Sequence, residues 1–167
     1  YTGPTVVSGG VLELHSGGFI NSTSSVTISG SAVSPATLRL SGTDRFGNGA
    51  VTSTVPITVG PFGTLASNGT YNTLISPTLT GGTILLNGGL FADFPAFGLK
   101  GTFTVSGSTP SQILTGTGIH NAINIGPTSA PGSLTFNVAN VTASAAADLT
   151  IAAPLQNNAL ESGGTNI

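Results

Sequence analysis

The chain reads as all-β, a right-handed parallel β-helix (β-solenoid) of roughly seven coils, taking roughly 20–25 residues per coil. Three observations predict this. Short runs alternate apolar and polar residues, so that Leu12 and Leu14, Val26 and Ile28, and Leu38 and Leu40 each present two apolar side chains on one strand face. Leu12, Val26 and Leu38 stand 14 and then 12 residues apart, with Gly, Ser and Pro in the intervals. One phrase occurs twice, as Tyr1-Thr2-Gly3-Pro4-Thr5-Val6-Val7-Ser8-Gly9-Gly10-Val11-Leu12-Glu13-Leu14 and as Leu79-Thr80-Gly81-Gly82-Thr83-Ile84-Leu85-Leu86-Asn87-Gly88-Gly89. Spacing alone fits a sandwich or a solenoid. The repeated phrase favours the solenoid, because each repeat is a unit that buries its apolar face only by stacking on its neighbours. The right hand follows the general preference of parallel crossovers.

The elements follow in order. Thr5, Val6 and Val7 are stiff β-branched or hydroxyl-bearing residues suited to a pleated backbone. Gly9-Gly10 turns the chain cheaply, and Val11–Leu14 then alternates with Glu13 outward. Ser25–Ser29 places Val26 and Ile28 inward, and Ala36–Leu40 places Arg39 outward. Gly42–Gly49, with Asp44, Arg45 and Asn48, is the most polar segment and is expected to project from the stack as a loop. Pro56–Gly60 and Gly63–Ala66 read as a strand pair around Gly60-Pro61. Asn72–Ile75 and Thr83–Leu86 continue the stack. Leu90–Leu99 breaks the texture: Phe91, Phe94 and Phe97 are interrupted by Pro95 and Gly98, which predicts an irregular apolar loop or lid. Strands are expected again at Thr102–Ser106, Gln112–Leu114, Ala122–Ile125, Ser133–Val138 and Asp148–Ala152. Asn157-Asn158 reads as a turn or the start of an asparagine ladder. No shift in composition divides residues 1–167, so the chain reads as a single β-helix domain.

Tyr1-Thr2-Gly3-Pro4-Thr5-Val6-Val7-Ser8-Gly9-Gly10-Val11-Leu12-Glu13-Leu14 resembles the autotransporter-associated β-strand repeat, a Tyr-Thr-Gly-Gly-Thr-Thr-Val and Gly-Gly-Thr-Leu-x-Leu phrase. Thr78–Gly89 resembles it more weakly and lacks the Tyr. The resemblance implies a right-handed parallel β-helix in a large secreted bacterial surface protein, hence a secreted, extracellular or cell-surface location. That repeat is structural and carries no catalytic residues, so it transfers none.

Composition narrows the function. Only 5% of the residues are charged, against roughly 25% in typical soluble domains. No apolar run approaches the roughly 18 residues of a membrane helix, so no membrane span is expected. A net charge of −2 gives no basic footprint for nucleic acid. With no cysteine there is neither disulfide nor thiolate metal site. The chain starts in mid-phrase without Met or a signal peptide, so it is expected to be a processed product or an excerpt of a longer protein.

Candidate chemistry is sparse. The carboxylates Glu13, Asp44, Asp93, Asp148 and Glu161 are distant from one another in sequence, although stacked coils could pair two of them for glycoside hydrolysis. His15 and His120 are isolated, and no Gly-x-Ser-x-Gly elbow or phosphate loop occurs. No catalytic, cofactor-binding or metal residue is therefore assigned, no cofactor is expected, and the chain is not expected to be an enzyme. The ends carry the functional expectation. An open β-helix end offers unpaired N–H and C=O groups above an apolar column, and no charged or helical cap is visible. The expected activity is self-association of identical chains, head to tail, through Thr5, Val6, Val7, Leu160 and Ile167. Phe91, Phe94 and Phe97, if exposed, would make a lateral contact. The alternatives are a passenger or stalk segment of a surface adhesin, and a polysaccharide-binding or polysaccharide-cleaving β-helix.

Overall fold

The computed structural model describes residues 1–46, 55–91, 94–125 and 134–157. The described residues form strands and no helix, and the strands lie in two sheets in which every pairing is parallel. The first sheet has six strands, adjacent in the order β14 (Leu149–Ile151), β11 (Ser111–Thr115), β9 (Thr83–Leu86), β6 (Gly63–Ser67), β4 (Ala36–Leu40) and β2 (Gly10–Leu14). The second has nine, and its main path runs from β1 (Thr5–Val7) through β3 (Val26–Ile28), β5 (Ile57–Val59) and β8 (Thr78–Leu79) to β10 (Phe97–Val105). From β10 it continues to β12 (Ile123–Ile125) and β15 (Leu155–Asn157), while β7 (Asn72–Ile75) and β13 (Leu134–Val138) also pair with β10. The arrangement is consistent with a β-solenoid.

The registers show why the alternation seen in sequence matters. In the six-stranded sheet Leu12, Leu38, Leu65, Ile84, Ile113 and Ile151 form one row. Leu38, Leu65, Ile84 and Ile113 are completely buried. In the other sheet Val7, Ile28, Val59, Leu79 and Val105 form a matching row, also buried. Each such side chain contributes about 1.5–3 kcal/mol on burial, and the two rows face one core. One residue away the register turns outward, and Val6, Thr27, Thr58, Thr78 and Thr104 line up. The twice-occurring phrase occupies equivalent places. In both copies a strand of the nine-stranded sheet, β1 or β8, passes through a glycine corner into a strand of the six-stranded sheet, β2 or β9. Gly10 and Gly81 take φ of 70° and 109° there, a region closed to most side chains.

β10 is one strand with two pairing zones. Phe97–Lys100 pair with β7, and Phe97–Leu99 with β12. Gly101–Val105 pair with β13, and Thr104 and Val105 also with β8. The bend lies at Gly101, φ 77°, above Ser76, φ 49°, in the preceding layer. Ser76 N–H donates to the Lys100 carbonyl at 2.9 Å, and its Oγ accepts from Thr102 N–H at 3.2 Å.

Several expectations need correction. Leu90–Leu99 is not wholly irregular: β10 starts at Phe97, which is fully buried and so withdrawn from any lateral contact. Gly98 breaks nothing, because its missing side chain makes room for the Tyr71 hydroxyl, which would lie 2.3 Å from a Cβ. β5 and β6 do not pair with each other but belong to different sheets. The start of Gly42–Gly49 does not project, since Arg45 and Phe46 are buried; residues 47–49 lie outside the described residues. β15 was not expected as a strand.

Candidate self-association edge

Two terminal strands, β1 and β2, carry the residues that sequence reasoning favoured. β1 bonds only to β3, and β2 only to β4, so one edge of each strand has no partner among the described residues. Val7 is buried and Thr5 half-buried, whereas Val6 is 64% exposed. On β2, Val11 is 58% exposed. Leu12 points into the core by register yet remains 38% exposed, and no further layer of the described residues covers it. An unpaired strand edge flanked by apolar side chains is a template for another strand. Leu12 and Val11 were absent from the expected set, although the alternation over Val11–Leu14 had already placed Leu12 inward.

At the opposite end the strands are similarly loose. Leu134, Phe136, Leu149 and Ile151 are only partly buried against the core, and Val138 is 42% exposed. Among the described residues β13 bonds only to β10, and β14 only to β11. Leu160 and Ile167, the other two expected contact residues, lie outside the described residues.

The edge of β7 is treated differently. Asp44 N–H donates to the Tyr71 carbonyl at 3.1 Å, and Arg45 N–H donates to Asn72 Oδ1 at 2.7 Å. Asn72 Nδ2 returns a bond to the Gly42 carbonyl at 3.0 Å. The Arg45 guanidinium then ties down a second loop: Nη1 donates to the carbonyls of His15, Ser16 and Gly18 at 3.0–3.1 Å, and Nε to that of Thr43 at 2.8 Å. The Phe19 ring covers it at 4.1 Å. A buried arginine is normally matched by a carboxylate; here carbonyl oxygens fill that place.

The corners between β6 and β7, between β9 and β10, and between β11 and β12 are joined by side chains. Ser67 Oγ donates to the Gly88 carbonyl and accepts from Asn87 N–H, both at 2.9 Å. Asn87 Oδ1 accepts from Thr117 N–H at 3.1 Å, and Asn121 Oδ1 from Gly88 N–H at 2.7 Å. These polar residues hold one layer to the next.

The aromatic group is small. Phe94 meets Tyr71 and Phe91 edge-to-face, with centroids 5.2 and 5.1 Å away. Phe91 is 45% exposed, Phe94 is half-buried, and Phe97 is in the core. The three therefore do not form one surface.

The carboxylates are engaged one by one. Glu13 lies 3.5 Å from Arg39 and accepts from the Ser41 hydroxyl. The Ser41 bond first, and the Arg39 charge after it, hold its carboxyl below the usual range. Asp148 Oδ1 accepts from Thr142 N–H at 2.8 Å and Val141 N–H at 2.9 Å, and the backbone bond from Thr142 does most to lower its pKa. Burial raises that of Asp44 against the opposing charge of Arg45. Asp93 and Glu161 lie outside the described residues. Among the described residues no three His, Cys, Asp or Glu side chains group as a metal site. Among the described residues no helix is long and apolar enough to cross a membrane. Comparison of the chain with family models, with curated proteins and with solved structures finds no match.

Proposed function

We propose that this chain is a structural rod, a right-handed parallel β-helix that joins head to tail with identical chains into a filament. The observation that carries this reading is the pair of unpaired strand edges at β1 and β2, where Val6, Val11 and the inward-facing Leu12 remain exposed. Covering them removes apolar surface from water and gives the open N–H and C=O groups partners. A head-to-tail contact does not close on itself, so it propagates. In this reading each turn of the chain crosses the six-stranded sheet once, giving six coils among the described residues, near the roughly seven obtained from repeat length. The right hand rests on the crossover preference. The resemblance of residues 1–14 to a secreted surface repeat supports a place outside the cell or on its surface, and non-enzymatic work.

That same resemblance favours a second reading, a stalk segment in which further coils of one longer chain cover the edge. Sedimentation velocity and negative-stain microscopy across a concentration series decide between the two. Thin fibres of constant width from the 167-residue chain are expected. Monomers at every concentration would sink the filament and leave the stalk.

A further inference from the structure

We infer that the junction has one defined register, in which β13 of one copy pairs with β1 of the next while β14 pairs with β2; this rests on the filament reading above. The rows already present dictate it. Following the pairings across the nine-stranded sheet, Val7 stands in the row of Ile28, Val59, Leu79, Val105 and Val138, and Val6 in the row that ends at Asn137. Across the six-stranded sheet, Val11 stands in the row of Thr37, Thr64, Thr83, Gln112 and Thr150, and Leu12 in the row that ends at Ile151. Continuing both sets of rows by one layer puts Val138 against Val7, Asn137 against Val6, Ile151 against Leu12 and Thr150 against Val11. Both sheets satisfy this register at once, without a slip of either.

Three features of the two ends suit it. The inward members are apolar on both sides, and Leu12, Ile151 and Val138 are the ones left incompletely buried. A one-residue slip would turn Leu12 or Ile151 outward, so the in-out parity penalises other registers. The charges also agree. Glu13 would follow Ala152, an uncharged position, and keeps its partner Arg39 within its own copy. No like charges are brought face to face.

Because the chain has no cysteine, paired cysteines report the register directly. Neighbouring parallel strands lie about 4.8 Å apart, inside the roughly 4.4–6.8 Å Cα span of a disulfide. Two double variants, Val11→Cys with Thr150→Cys and Val6→Cys with Asn137→Cys, probe the two sheets separately at outward positions that leave the core unchanged. A mismatched control, Val11→Cys with Thr135→Cys, places the thiols on different sheets. Mild oxidation is expected to turn both matched variants into ladders of covalent multimers, with the control staying a single band. Association by sedimentation without a ladder from either matched pair would overturn the register while leaving the filament standing. A ladder of equal strength from the control would overturn it too. Monomers throughout would overturn both the register and the filament on which it rests.

Discussion

Arg45 shows how one side chain can hold a segment that sequence reads as free. The residues before it in sequence, Thr43 and Asp44, are polar, and the residues that bind it across the layer, His15, Ser16 and Gly18, supply only backbone carbonyls. No charge pattern announces such a contact, which is why a projecting loop was expected. Charge-assisted hydrogen bonds are worth about 1.5–3 kcal/mol each. Arg45→Ala is therefore expected to lower unfolding free energy by roughly 2 kcal/mol, since several partly buried carbonyls lose one shared donor together; urea titration of the variant measures this. Arg45→Lys is expected to recover only part, because a single ammonium cannot reproduce the fork of donors. Acid response is also set residue by residue. Asp148 and Glu13 titrate below their ordinary range in the folded chain. Their contribution is complete above the unfolded value of about 4 and is lost as pH falls through the folded one. Asp44, raised by burial, works with the opposite sign, favouring the folded state as it protonates. The net expectation is a falling urea midpoint below about pH 4. Asp148→Asn keeps an acceptor for Val141 and Thr142 but no longer titrates, so its midpoint is expected to fall less steeply. An unchanged slope would remove Asp148 from this account.

At the scale of the element, alternation and glycine corners were legible in the sequence, and the long strand was not. Val26 and Ile28, and Leu38 and Leu40, point inward as their alternation requires. Gly10 and Gly81 turn the chain at both copies of the repeated phrase. β10 was half missed because Gly98 and Pro95 resemble strand breakers. Gly98 is instead a clearance for Tyr71 from the layer before, and such a contact between layers leaves no trace in local pattern. Of the proposed edge, the sequence itself offered Thr5–Val7, while Leu12 was hidden behind its apparent core role. Gly101 provides the sharpest test of an element. A Cβ there would sit 2.4 Å from Ser76 Oγ, at φ 77°. Gly101→Ala is expected to cost about 1–2 kcal/mol from backbone conformation alone, with the Ser76 clash added. Gly17→Ala, at a site with open space around it, is the matched comparison and is expected to change little. Equal losses from the two substitutions would show that the bend in β10 carries no special strain requirement.

At the scale of the whole molecule, the open edges decide between a unit and a polymer. Val11→Lys places a charge beside the unpaired edge without touching the core, a device natural sheets use to block edge pairing. On the proposed filament reading it is expected to abolish fibres while leaving the unfolding midpoint nearly unchanged; fibres that persist would place the contact elsewhere. The topology has a further consequence for how the chain reaches this state. No described strand bonds to its immediate neighbour in sequence, so among the described strands there is no hairpin to form early and cheaply. Every pairing must first close a long loop, whose entropy is lost before any contact rewards it, and folding through such non-local contacts is slow. β10 bonds to β7, β8, β12 and β13, more partners than any other described strand. It is thus the natural place for a nucleus from which order spreads toward both ends. Substitutions in β10, such as Phe103→Ala, should slow refolding, whereas those in β1 or β14 should mainly quicken unfolding. A rod built this way would be slow to assemble from a denatured chain and would come apart from its tips inward.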